Sequence, residues 1–408
     1  MTRLVREIRV HGAPAARQAV LTLLSLPLAP FLLLAAVALR PLVVIRFGKL
    51  VSVRIGHFAA NTEVYLCEKD AGVYPGTLDL LYHSQAVCNY QLKKMWDRTL
   101  PIFGLVTFAG LFADALARRR AGWRRHVISF VNAGGDRDLR GLMSSTPPHL
   151  SFTPDEHARG EAALARLGIP EGAEFVCFAA RDKAYLAQTV LSPHSWAYHD
   201  YRDSDICHYM PAVERLTERG WYALRVGAAV ERAVDTGNPR IIDYATQWRG
   251  EFLDIYLASR CRFFLGDTSG IFLVASIFRR PVVMVNLVPL YQVPSWGAKD
   301  LFIPKKLWHR TQLRFLTFRE ILESEIGDFC YTDQYEQHDL ELVENTADEI
   351  SAVVDEMDQR LAGTWVTTAA DERRQACFWS LVARVRPNQA LPSRIGAAFL
   401  RENANLLA

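Results

Sequence analysis

The most concentrated chemistry in this sequence sits in FFLGDTSGIF, residues 263–272. An apolar run ends at Leu265-Gly266, a polar turn Asp267-Thr268-Ser269-Gly270 follows, and an apolar helix opens behind it. Free N–H groups at a helix start attract an anion, and glycine lets it come close to the backbone. Thr268 or Ser269 could add a hydroxyl donor, or either could be an ordinary helix cap. A serine-hydrolase elbow needs G-x-S-x-G, but here the central residue is Thr268 and Ser269 comes one place late, which speaks against a nucleophilic serine.

A second constellation lies where other strand-like runs end. FVCFAA leads into Arg181-Asp182 with Tyr185 close by, WYALRVG ends in Arg225-Val226-Gly227, and RIIDYA carries Asp243-Tyr244. An arginine at the carboxyl end of a strand offers a planar donor fork, and two such forks suit a diphosphate. Asp243 suits a ribose or sugar hydroxyl. Taken singly, each of these residues fits a surface salt bridge better. HDYRDSDICHY adds Arg202 as a phosphate candidate. Asp203-Ser204-Asp205 and Asp136-Arg137-Asp138 match a D-x-D metal pattern, but the first reads better as a helix cap. We therefore expect no metal.

Upstream, RIGHFAANTEVYL places His57 behind Gly56. A histidine near an acceptor hydroxyl can serve as general base, with Asp79 and His83 of LDLLYH as competitors, although a lone histidine is usually structural. There is no G-x-G-x-x-G after a strand, no G-x-x-x-x-G-K-[ST], no H-E-x-x-H and no zinc-type cluster. Those absences disfavour a NAD enzyme, a P-loop NTPase and a zincin.

These residues need elements to hold them. From residue 42 onward, short apolar runs alternate with helical patterns. LVVIRF, EVYLCE, LDLLYH and HVISFVN read as strands and NYQLKKMWDRTL as an amphipathic helix. A Gly/Ser/Thr/Pro stretch at about 134–156 is the best linker. Beyond it FVCFAA, WYALRVG, RIIDYA, RFFLG and PVVMVNL read as strands, with helices between them and a long helix DEISAVVDEMDQRL. Such alternation predicts a parallel sheet, whose ligands bind beyond the carboxyl strand ends.

The 408 residues suit two domains rather than one. Lys plus Arg is 47 against 44 Asp plus Glu, a balance that gives no support to nucleic-acid binding. Seven scattered cysteines without C-x-x-C spacing read as reduced thiols in a cytoplasmic protein. Residues 19–39 carry no charge and are long enough to cross a bilayer. A membrane anchor, a core helix and a signal peptide compete for this run, and Pro27 and Pro30 favour a kinked or re-entrant form. Arg118, Arg119, Arg120, Arg124 and Arg125 around Trp123 could rest on anionic lipid or form a solvated helix end.

Several ordered blocks carry a family pattern: RIGHFAANTEVYL, FVCFAARDKAYL, HDYRDSDI, ALRVGA, IIDYA, FLDIYLASRCRFFLGDTSG, PVVMVN and RIGAAFL. Through them the chain resembles a family of bacterial glycosyltransferases associated with surface-polysaccharide and lipopolysaccharide synthesis. The resemblance spans most of the chain beyond about residue 43. It implies a GT-B-like fold, two Rossmann-like domains facing across a cleft with the donor site in the C-terminal one. Arg181, Asp182, Tyr185, Arg202, Arg225, Gly227, Asp243, Tyr244, Ser269, Gly270 and Asn286 fall in its blocks, as do Gly56, His57, Asn61 and Glu63.

The expected domains are a basic, hydrophobic, membrane-associating segment at 1–41, an acceptor domain at 42–155 and a nucleotide-sugar domain at 156–384. A terminal helix at 385–408 could pack back on the acceptor domain. The expected activity moves a sugar from a nucleoside diphosphate sugar to a glycan or lipid-linked acceptor on the cytoplasmic face of the inner membrane, without a cofactor. Arg181, Tyr185, Arg202, Arg225, Gly227, Asp243, Tyr244, Thr268, Ser269, Gly270 and Asn286 would bind the donor, and His57 or Asp182 would take the acceptor proton. A nucleotide-sugar epimerase and a non-catalytic membrane-tethered scaffold are the alternatives.

Overall fold

Strand β1, Val44–Leu50, is buried along almost its whole length, so both of its faces must be covered. In the computed structural model it is the middle strand of a parallel sheet, flanked by β2, Thr77–His83, and β3, Val127–Ile128. The structure describes residues 12–84, 86–130, 137–184, 197–386 and 392–408. The chain divides into two compact units. Unit 1 holds 1–137 and 148–151, and unit 2 holds 138–147 and 152–408.

In unit 1 the alternation of β1 sorts its side chains onto two faces. Ile45 and Phe47 pack into a core with Ala29 and Ala36 of helix α1, Ala13–Ala38, and with Ala109 and Ala113 of a helix spanning Thr107–Arg119. Arg46 sits on the other face and meets its register partner Asp79 through two hydrogen bonds of 2.7 and 2.8 Å. Tyr65 of helix α2, Ile55–Asp70, donates to the same carboxylate. EVYLCE, expected as a strand, lies inside α2. Phe58 to Cys67 are buried on every side of that helix, so no polar stripe marks the helical period. NYQLKKMWDRTL does form helix α3, Tyr90–Thr99, capped by the Asn89 side chain. The Thr107–Arg119 helix is α4.

Unit 2 opens with helix α5, Pro154–Arg166, whose capping box joins Thr153 and Glu156. Its strands are β4, Phe175–Ala179; β5, Tyr222–Arg225; β6, Ile241–Ile242; β7, Phe264–Gly266; β8, Val282–Leu287; and β9, Leu301–Pro304. Helices α6, Met210–Glu218, α7, Glu251–Arg260, and α8, Phe272–Ile277, fall between them. All the pairings are parallel, in the order β6–β5–β4–β7–β8–β9 with one further strand beyond β9. Counted from β4 this is the doubly wound order 3-2-1-4-5-6, which reverses direction between β4 and β7.

An antiparallel sheet of β10, Lys306–His309, β11, Arg314–Phe315, and β12, Leu340–Val343, follows and was not expected. Helices α9, Ala347–Ala362, and α10, Ala369–Val385, lead to β13, Arg394–Ile395, the strand that pairs with β9. The C-terminal segment therefore completes the unit 2 sheet. Arg401 fixes it by two hydrogen bonds, 2.8 and 2.7 Å, to Asp371 of α10.

Candidate functional site

The reversal between β4 and β7 opens a crevice at their carboxyl ends, where open α/β sheets take their ligands. Ala179 and Gly266 are register partners there. A Cβ on Gly266 would stand 2.8 Å from the Phe264 ring and 3.3 Å from the Ala179 carbonyl, so only glycine fits without displacement. Beyond these residues the two turns are joined. The Arg181 N–H and the Ser204 hydroxyl both donate to Asp267 Oδ2 at 2.6 Å. Asp267 is fully buried, and burial pushes its carboxyl up against the hydrogen bonds from Ser204 and Arg181.

Arg181 points its Nε–H at Asp203, 3.2 Å away. Among the described residues its terminal amino groups have no hydrogen-bond partner. Burial pushes the Asp203 carboxyl up to about 6, with Arg181 opposing. Lys305 lies against the same loop, 7% exposed, donating to the carbonyls of Tyr201 and Asp203 at 3.2 and 2.7 Å. Burial lowers its pKa, and Glu344, Asp267 and Asp203 resist that shift. The crevice thus gathers two cations whose partners are a carboxylate and two carbonyls, with the Ser269 Oγ shielded from solvent and unpartnered among the described residues. A phosphate oxygen is the acceptor that such donors lack.

Thr268 and Ser269 do not cap α8, whose N-cap is Ile271 without a side-chain bond. Thr268 Oγ1 instead accepts from Val288 N–H at 3.5 Å. With only six residues, α8 contributes little dipole, so side chains dominate here. Asn286, at φ 53°, exchanges hydrogen bonds of 2.6 and 2.7 Å with Asn345 behind the site. Arg202 stacks on the Tyr201 ring at 5.2 Å. Gly227 follows β5, where a Cβ would come within 2.9 Å of Val230. Tyr185 lies outside the described residues.

Four predicted residues have other occupations. Arg225 is 1% exposed, and its guanidinium is enclosed by Asp243, 3.5 Å away, and by the carbonyl of Arg232. It offers no fork to a ligand, because the last residue of β5 turns inward against the turn after β6. Asp243 also accepts from Val234 N–H at 2.8 Å. Tyr244 is buried and bonds to Gly250 and Asp254 at 2.9 and 2.8 Å. Asp182 accepts from the N–H groups of Ala184 and Glu231 at 3.0 and 2.9 Å, which uses both oxygens. Asp203 and Asp205 face different partners, Arg181 and Arg232. Lys305 was missed, although a basic residue directly after the apolar strand LFIP is the same signal that marked Arg181.

In unit 1, His57 is half-buried in the first turn of α2, just beyond the carboxyl end of β1. Asp79 is committed to Arg46 and Tyr65, and His83 to Asp97 at 2.7 Å. A cavity of about 90 Å³ opens between Asn61, Tyr65, Glu68, Tyr74, Phe130 and Arg137, enough for a few waters but not a nucleotide. Glu63, Cys67 and His149 bring potential metal-ligand atoms within 4.8 Å of one another. The His149 imidazole, however, is held by Glu63 and Asp70, each at 3.0 Å. Hydrogen bonds to Cys67, Glu63 and Asp70 raise its pKa to about 10, so a metal ion there would have to displace a proton from the imidazole.

No family model and no curated protein matches the chain. Among solved structures it is similar to the ADP-heptose lipopolysaccharide heptosyltransferase II of E. coli, with a TM-score of 0.41 and 12% identity over 64% of this chain and 90% of that one. It is also similar to a family 9 glycosyl transferase from Veillonella parvula DSM 2008, with a TM-score of 0.35 and 8% identity over 60% and 80% of the two chains. Likenesses this distant say nothing about activity, which has to come from the residues themselves.

Proposed function

We propose that the chain is a glycosyltransferase that takes its sugar from a nucleoside diphosphate sugar bound at the carboxyl ends of β4 and β7. The observation that carries this reading is the crevice of a doubly wound sheet where Arg181, Lys305 and Ser269 offer donors around glycine-lined turns. The resemblance of the ordered sequence blocks to bacterial surface-polysaccharide glycosyltransferases also supports it. The acceptor is a glycan or a lipid-linked sugar.

As the glycosidic bond breaks, negative charge grows on the diphosphate. Arg181 exchanges Asp203 for a phosphate oxygen, and Lys305 and the Ser269 hydroxyl add stabilisation that strengthens with that charge. His57 is the proposed base toward the acceptor hydroxyl, since both oxygens of Asp182 already accept backbone N–H groups.

The test is thermal stability of the full chain against UDP, GDP, ADP, CMP and their sugars. A ligand that binds only the folded state raises the melting temperature. One nucleotide should do so, and Arg181→Ala should abolish the shift. No shift with any nucleotide, from folded protein, would turn the reading toward a scaffold. Conversion of a nucleotide sugar without an acceptor would turn it toward an epimerase.

A further inference from the structure

Helix α1 has two apolar faces with different fates. Its inner face is built into unit 1: Ser25, Ala29 and Ala36 are fully buried. Leu21 lies over Gly104, where a Cβ would stand 2.9 Å from the leucine Cβ. The Ser25 hydroxyl accepts from Phe108 N–H at 3.2 Å, at the start of α4. Without α1, the Ile45, Phe47 and Tyr82 core would face water, so this segment is not a dispensable leader.

The outer face is bare. Leu23, Phe31 and Leu34 are 70, 71 and 68% exposed, and only 17% of an 18-residue stretch within the apolar span Ala19–Ala38 is buried. Phe103 and Phe112, on the elements that α1 packs against, are exposed as well. An apolar surface of this extent marks a partner. Charge says which. At the far end of α1, Arg40 hydrogen-bonds His126 at 2.7 Å and lies 5.8 Å over the Trp123 ring. That places the helix end beside exposed Arg118, Arg119, Arg120, Arg124 and Arg125, with Trp123 half-buried among them. Apolar side chains bordered by arginines and a tryptophan match an anionic lipid leaflet.

The span is long enough to cross a bilayer. Crossing would, however, pull α4, with Asp114, Arg118 and Arg119, into the hydrocarbon, because α1 is packed against it. We infer that unit 1 is monotopic: the outer face of α1 lies in one leaflet of an anionic membrane, and the 118–125 arginines hold the headgroups. The inference is independent of the donor-site reading, and its test reads lipid, not activity.

The full chain is floated with vesicles of phosphatidylcholine alone and of equal parts phosphatidylcholine and phosphatidylglycerol. Flotation should favour the anionic vesicles and weaken with salt. Leu23→Asp/Phe31→Asp/Leu34→Asp should stop it while leaving the melting temperature unchanged, since these side chains are exposed. Arg118→Glu/Arg120→Glu/Arg124→Glu should remove the preference for anionic lipid. Gly12→Cys and Leu42→Cys, each treated from outside with an impermeant maleimide, should both gain one label over the parent chain. Protection of either would mean that α1 spans, and would overturn the inference. So would flotation indifferent to the triple aspartate variant, or a lipid-free dimer that this variant dissolves and that binds no vesicles.

Discussion

The Arg181 amide donates to the Asp267 carboxylate across 2.6 Å, tying the turn after β4 to the turn after β7. Ser204 reaches the same oxygen, so one buried carboxyl organises three segments around the crevice. Asp267→Ala would leave two inward donors without an acceptor, at a cost of about 2–3 kcal/mol. Urea denaturation of the parent and variant measures it, and equal midpoints would refute this role. Asp267→Asn keeps an acceptor and should lose much less.

Asp203 competes with the ligand for Arg181. Its carboxyl titrates at about 6, so at neutral pH it is ionised, holds Arg181 and repels a diphosphate. Asp203→Asn should therefore bind a nucleoside diphosphate severalfold more tightly than the parent at pH 7.5. The advantage should shrink as pH falls through about 6, where the parent becomes protonated. Calorimetric titration of both proteins across that range checks the convergence. A constant ratio would show that Asp203 is not the titrating group.

Arg225 is structural on this geometry. Arg225→Ala would strand buried Asp243 without its cation, a change that typically costs about 3–5 kcal/mol. Loss of soluble, cooperatively melting protein is the expected result. A variant that melts normally but no longer binds nucleotide would restore Arg225 to the donor site.

His149 latches the 148–151 segment onto α2. Its folded pKa, about 10, lies above the ordinary 6.5, so its stabilisation is complete below 6.5 and fades as pH rises through 10. His149→Ala should destabilise by about 1–2 kcal/mol at pH 6, after allowance for solvent screening. The gap should close near pH 10. Melting curves at both pH values test this, and a pH-independent gap would point to packing alone.

The sequence by itself determined the strands of unit 2, because parallel strands covered on both faces leave unbroken apolar runs such as FVCFAA and PVVMVNL. It also marked Arg181 and the 266–270 turn, since polar and glycine residues directly behind such runs must lie at carboxyl strand ends. The strand order was not legible, nor was the inward turn of Arg225. Its partner Asp243 follows a different strand, and adjacency across a sheet leaves no trace along the chain. EVYLCE was misread for a related reason: a helix buried all round loses the polar stripe that distinguishes it from a strand. For α1, composition established an apolar helix. Only the fold decided which of its faces belongs to the core, because that depends on Gly104 and α4 lying against it, and packing is a property of the folded chain.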